Sequence, residues 1–445
     1  MPTMSAGPNV PVSAFAPAPS VNGLVLQPFR GLRYSEGIDL RAVTSPPYDV
    51  IDAAGVVALE QASDINVVRL ILPRDEAAQG DRYLRAAHTL EAWRSAGVLV
   101  PDTKPTLYVY EQSSSTHAQR GLLGALALTP PEDGIVLPHE NTMSGTVSDR
   151  LALYTAVGAD LEPIFLLYAG GGAATTSVAT ASTSPPLLDV LLPDANAPEG
   201  LRHRLWAVTD PVELAAIATD LHDRTAVIAD GHHRYATYLQ RQAAAHAVGW
   251  GPGPWDLGLT FLVDSTSFGP EVHPIHRVIP HVEAWELTRR AEGAMRVHDL
   301  DGNDLDTALV ALAQAGAGGP AFLLVSGDGG TVRLLTSPQA TRLELALPAE
   351  RSAAWKALDV SILHSYLIAD VWGLVDNVDT VRYEHDVAAA VAAAAASGGT
   401  AVLLNPTPIA AVTSVAAGGE RMPRKSTLFT PKPRTGLVLR DHRDA

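Results

Sequence analysis

The sequence predicts a mixed α/β fold, and three patterns carry that expectation. Continuous apolar runs of strand length occur at 163–168, 225–229 and 257–263, as expected of strands buried on both faces. Apolar residues on helical spacing mark 80–96, 211–222 and 232–247. Through the middle of the chain strand and helix alternate, the order that packs helices against a sheet.

In chain order, residues 1–22 hold no Lys or Arg and are scattered with Pro. They lack the charged and apolar regions of a signal peptide and read as a disordered leader. Order is expected from about Leu24. The segment 45–51 cannot be helical, because Pro46 and Pro47 fix φ and restrict the residues before them. Strands at 107–111 and 121–128 can pair as a hairpin across Ser113-Ser114-Ser115. Residues 169–200 are Gly, Ala, Thr, Ser and Pro with almost no charge, which predicts a flexible insertion within a first region spanning 23–280. A second α/β region, 281–445, has helices at 283–294, 308–315, 360–373 and 386–396. Its strands fall at 321–326, 332–335 and 401–405, with a closing pair at 428–429 and 436–439.

Composition bounds the function. The 445 residues suffice for two or three domains and a large core. Cysteine is absent, which removes disulfides, thiolate chemistry and Cys-based zinc sites together. A net charge of -16 repels a phosphate backbone over most of the surface, and only 421–434 offers a basic stretch. No apolar run approaches the ~18 residues of a membrane span. The expectation is a cytoplasmic protein with no nucleic-acid or membrane partner.

The sharpest feature is Asp230-Gly231-His232-His233-Arg234. An apolar strand ends at Asp230, Gly231 turns the chain, and a helix begins. A helix start offers unpaired N–H groups and partial positive charge, and Arg234 adds a fork that matches phosphate. Adjacent histidines point about 100° apart on a helix, so His232 and His233 face different surroundings. An N-cap with a solvated first turn would explain the same residues.

Four further clusters stand out. His139-Glu140, followed by Ser148-Asp149-Arg150, lies in a loop where a carboxylate beside a histidine could act as base or metal ligand. Tyr48 and Asp49, held by two prolines, suit the wall of a substrate site. His276-Arg277 forms another potential anion-binding pair. Gly419 to Thr427 looks at first like a phosphate-binding P-loop, but Arg424 replaces a required glycine and the next residues read as a strand. Lys425 could still meet a phosphate through its side chain.

Arg30-Gly31, Pro46 to Ile51, His139-Glu140, Asp149-Arg150, Asp230 to Arg234 and Met422 to Thr427 together resemble the bacterial family catalogued as domain of unknown function 1015. Arg424 departs from it, since the family tends to have glutamine there. Pro163-Ile164-Phe165 with Val227 to Ala236 is similar to the ParB/sulfiredoxin-like pattern, in which a Gly-x-x-Arg turn at a helix start holds nucleotide or phosphate. That group includes free-serine kinases and CTP-dependent chromosome-partitioning proteins.

The resemblance implies a ParB/sulfiredoxin-like core with an additional C-terminal α/β region, and a phosphotransferase acting on serine or a similar hydroxylated metabolite. The phosphate donor would be ATP, ADP or pyrophosphate with Mg²⁺ or another divalent ion. Asp230, His232, His233, His139 and Glu140 are then the catalytic candidates. Gly231, Arg234, Arg150 and Lys425 would bind phosphate, and Tyr48, Asp49, His276 and Arg277 the substrate. His139 and Glu140 are expected to share a cleft with the central turn. Two rivals remain open: a metal-dependent hydrolase using His139, Glu140, His232 and His233, and a nucleotide-gated DNA-binding protein. The sequence leaves the oligomeric state open.

Overall fold

The computed structural model describes residues 22–75, 80–194, 197–300, 302, 304–377 and 379–444. The expected leader, apart from residue 22, lies outside these. The chain divides into two compact units, 1–137 with 142–270 and 431–445, and 138–141 with 271–430. This differs from a single cut at 280. The chain leaves the first unit after Pro270, and its last residues return there, where Arg440 pairs with Asp160.

The first unit is built on a nine-stranded mixed sheet. Its strands are β1 (Leu26–Gln27), β2 (Leu107–Ser113), β3 (Ala118–Ala127), β4 (Val136–Leu137), β5 (Ile164–Tyr168), β6 (Leu188–Asp194), β7 (Ala197–Val208), β8 (Ala226–Asp230) and β9 (Leu257–Asp264). The order across the sheet is β4-β8-β5-β9-β3-β2-β7-β6, with β1 added to β3. Only β4 with β8 and β5 with β9 run parallel. The expected hairpin is β2 and β3, paired from Tyr108↔Leu123 to Ser113↔Ala118. Strands β5 and β9 are buried along their whole length, as their unbroken apolar runs required.

Helices α1 (Arg82–Ser95), α2 (Ser144–Val157), α3 (Gly172–Ala181), α4 (Pro211–Leu221) and α5 (His232–Ala247) accompany the sheet. Asp81 and Asp210 cap α1 and α4 by accepting backbone N–H bonds, and Pro211 opens α4 where its missing donor costs nothing.

The expected flexible insertion is instead ordered as α3 and β6. Ala174 and Val178 are buried in the core, and β6 is fixed by its ladder to β7, with Leu192 opposite Leu201. Small residues, read as linker composition, here let α3 pack closely. Tyr48–Val50 forms one 3₁₀ turn after Pro47, so the proline pair starts a short helical turn rather than excluding one.

The second unit carries an antiparallel six-stranded sheet made of β10 (His276–Ile279), β11 (Arg296–Asp299), β12 (Ala321–Ser326), β13 (Val332–Thr336), β14 (Arg382–Glu384) and β15 (Thr400–Leu404). Its order is β11-β13-β12-β15-β10-β14. Two apolar clusters pack on this sheet, one around Phe322, Tyr366 and Trp372, the other around Leu323, Leu403 and Ala390. The helix expected at 360–373 is an α-helical turn, Asp359–Ile362, running into a π-helical segment, Leu363–Val371. The expected closing pair does not form. Leu428–Thr430 pairs with Glu271–His273 in the second unit, and residues 436–439 belong to the first.

Candidate functional site

The central turn forms as the sequence predicts. Strand β8 ends at Asp230, Gly231 takes φ 96°, and α5 begins at His232 without a side-chain cap. Glycine is needed here, since a Cβ on Gly231 would adopt a left-handed conformation and lie 3.2 Å from Arg234 Nε. Helix α2 also starts without a side-chain cap. The two starts are tied together, because Met143 N–H donates to His233 Nε2 at 3.0 Å. His233 therefore accepts at Nε2, the state of a neutral imidazole with its proton on Nδ1.

Beneath the turn lies a buried charge network. Asp230 Oδ2 receives Arg234 Nη2 at 2.5 Å, and Oδ1 receives Lys432 Nζ at 2.6 Å. Lys432 also donates to Asp49 Oδ2. Burial pushes the Asp230 carboxyl up, but Lys432 and Arg234 outweigh it and hold it below the usual carboxylate range. With both oxygens engaged by cations, Asp230 is a positioning group and a poor proton acceptor.

Arg234 is 1% exposed, and its other terminal nitrogen, Nη1, donates to the Pro163 carbonyl at 2.6 Å. Its fork thus grips β8 and the start of β5 instead of standing open to a ligand.

Tyr48 sits between two guanidinium groups, with Arg150 4.6 Å and Arg234 5.9 Å from its ring centre. Its N–H donates to Glu162 Oε1 at 2.9 Å, which also accepts from Thr435 Oγ1 at 3.2 Å. Burial raises the Tyr48 phenol to about 12, and burial also raises the Glu162 carboxyl against the pull of Arg234 and Arg150. Arg150 donates twice to Asp149 Oδ2 and once, at 2.6 Å, to the Ile71 carbonyl. It is buried, and three of its five N–H groups are bonded within the protein, to Asp149 and the Ile71 carbonyl.

His232 is buried in the first unit, and His139, Glu140, His276, Arg277 and Lys425 fall in the second. His139 is fully buried, with Nε2 3.0 Å from Thr427 Oγ1 and its ring edge-on to Phe429. Glu140 is half-buried. His276 is buried, accepts from Leu404 N–H at 3.3 Å, and is pushed down to about 4, chiefly by burial. Arg277 is buried beside it and bonds His364 and the Lys425 carbonyl. Neither His276 nor Arg277 is exposed, because β10 is flanked by β15 and β14 in its sheet. Lys425 is exposed.

Among the described residues no three His, Cys, Asp or Glu side chains stand together where one metal ion could be held. No described helix is long and apolar enough to cross a membrane.

Lys432, Glu162 and Thr435 were not singled out by sequence reasoning. Glu162 had a signal, a carboxylate directly before the apolar run at 163–168. Lys432, between two prolines near the chain end, had only its basic neighbourhood.

A family model described as "Protein of unknown function (DUF1015)" matches residues 26–361. No curated protein matches the chain. Among solved structures, a free serine kinase in complex with AMP is 14% identical over 68% of this chain and 88% of its own, with a TM-score of 0.32. SbnI from Staphylococcus aureus is 10% identical over 71% of this chain and 86% of its own, at a TM-score of 0.33. A conserved hypothetical protein from Pyrococcus furiosus is 14% identical over 70% and 94%, at 0.32. Scores of this size carry no argument about activity.

Proposed function

Because this chain belongs to the DUF1015 family, whose description names no activity, we propose a function from the site itself: phosphoryl transfer to a small hydroxylated metabolite from a nucleotide or pyrophosphate. One observation carries the reading. The starts of α2 and α5, neither capped by a side chain, are joined through Met143 N–H and His233 at the end of a buried strand. A helix start offers unpaired N–H groups and partial positive charge, which favour a phosphate, and here two such starts lie one hydrogen bond apart.

The charge network underneath supplies rigidity, and phosphoryl transfer draws its rate mainly from positioning and charge stabilisation. Asp49 replaces Asp230 as the proton acceptor in this reading. Its side chain is 35% exposed, and Lys432 occupies only Oδ2. Serine is the first acceptor to test, on the strength of the sequence resemblance. The described residues form no metal cage, so in this reading a divalent ion enters with the donor phosphates.

The test is calorimetric titration with ADP, ATP and pyrophosphate in the presence of Mg²⁺, followed by ³¹P NMR with serine as acceptor. Binding of one donor, weakened at least tenfold in a folded Gly231→Ala variant, is expected. No binding at millimolar donor, or equal binding by folded Gly231→Ala, would sink the proposal.

A further inference from the structure

Glu162 is fully buried in the first unit, and the chain on either side of it is pinned. Just before it, Asp160 is gripped by Arg241 at 2.8 Å and by Arg440 at 2.9 Å. Just after it, the Pro163 carbonyl accepts from Arg234 at 2.6 Å. The Tyr238 hydroxyl donates to the carbonyl of Glu162 itself at 3.4 Å. A side chain on so fixed a base can hold another segment in place.

The segment it holds is the turn Tyr48–Val50. Pro46 and Pro47 lack an N–H, so Tyr48 carries the first backbone donor after Ser45. Among the described residues, the backbone of Tyr48–Val50 makes one hydrogen bond beyond its own turn, from Tyr48 N–H to Glu162 Oε1 at 2.9 Å. The bond from Val50 N–H to the Pro47 carbonyl is local. Contacts with Arg150 and Arg234 anchor the Tyr48 ring. They do not fix the direction of the peptide that follows, whereas a hydrogen bond to a rigid carboxylate is directional.

Glu162 Oε1 also accepts the Thr435 hydroxyl at 3.2 Å. Thr435 meets the start of the proline segment as well, where it exchanges backbone hydrogen bonds with Ser45 at 3.2 and 2.9 Å. Each segment meeting on Glu162 carries one half of an ion pair. Asp49 directly follows Tyr48, and Lys432 lies shortly before Thr435. The second carboxylate oxygen, Oε2, is buried and receives no hydrogen bond from the described residues. No other donor therefore competes for this side chain.

We infer that Glu162 is the positioning residue for Asp49: its Oε1 fixes the turn from which the Asp49 carboxylate reaches Lys432, while Glu162 itself stays buried. In the preceding reading Asp49 takes the proton of the acceptor hydroxyl. The catalytic consequence rests on that reading, and the positioning rests on the hydrogen bonds alone. A proton acceptor must lie within hydrogen-bond reach of the hydroxyl, and a misplacement of about 1 Å can cost about a hundredfold in rate.

Two variants of the full chain separate reach from charge. Glu162→Asp keeps the negative charge facing Arg150 and Arg234 but draws the oxygens back from Tyr48 by one methylene. Glu162→Gln keeps the reach and an acceptor oxygen but removes the charge. The first readout is amide hydrogen exchange at Tyr48, Asp49 and Val50. Positioning predicts exchange about tenfold faster in Glu162→Asp, near-parental exchange in Glu162→Gln, and no change along α5 in either. A carboxylate that only neutralised the two arginines predicts the reverse order. That reverse order, or equal exchange in Glu162→Asp and the parent, would overturn the inference. Where the parent transfers a phosphoryl group, Glu162→Asp should lower kcat about tenfold or more at unchanged donor affinity, and Glu162→Gln should retain most of it. Absence of transfer in the parent removes the preceding reading, and the exchange result still decides this one.

Discussion

Lys432 Nζ lies 2.6 Å from Asp230 Oδ1, and the same ammonium bonds Asp49. One buried cation thus joins the central turn, the proline-rich segment at 45–51 and the returning C-terminal segment. Burial disfavours the charged ammonium, but the two carboxylates outweigh it and raise its proton affinity above the ordinary lysine range.

Lys432→Met should therefore unfold the first unit more easily. It leaves Asp49 and Asp230 facing each other without their shared cation, and because the Asp49 side chain is 35% exposed the cost lies below the ~3–5 kcal/mol of a fully buried pair. Arg234 still neutralises Asp230, which points to a loss of about 1.5–3 kcal/mol. Urea unfolding measures the difference, and an unchanged midpoint would show that the bridge contributes nothing.

Arg234→Lys should harm folding more than it harms phosphate binding. The guanidinium spans Asp230 and the Pro163 carbonyl, and an ammonium cannot hold both in that fork geometry. One lost charge-assisted bond in a buried place costs about 1.5–3 kcal/mol of stability. The affinity of the folded fraction for the best phosphate donor should change less than tenfold. Reading the sequence alone leads to the opposite ordering, because a helix-start arginine looks exposed until the strand beside it is placed. A large affinity loss with an unchanged melting temperature would restore the ligand role.

Acid should destabilise the chain through His203. Its ring is buried, its Nδ1 lies 2.7 Å from the Tyr110 hydroxyl, and burial, aided by Arg434, pushes it down to about 3. The unfolded chain takes up this proton near pH 6.5 and the folded chain only near 3. Stability should consequently fall as pH drops through that window and level off below it. A His203→Gln variant should show a shallower decline of melting temperature between pH 6.5 and 4. Parallel profiles would remove His203 from the acid response.

The division between sequence and tertiary structure follows the range of the forces involved. Local patterns determined the strand Ala226–Asp230, the glycine turn and the helix His232–Ala247, because apolar run length, φ freedom and helical spacing act over a few residues. The mixed α/β class was legible for the same reason. The ordering of Gly172–Ala181 and Leu188–Asp194 was not, since small residues are as compatible with a linker as with a closely packed helix, and only the Leu201 strand beside them decides. Nor could the sequence tell that Arg234 and Arg150 turn inward, or that Lys432 is the third charge at Asp230. Those choices depend on which distant acceptors arrive at the same place: the Pro163 carbonyl, the Ile71 carbonyl and Asp49. A buried charge is set by partners far along the chain, and chain proximity carries no record of them.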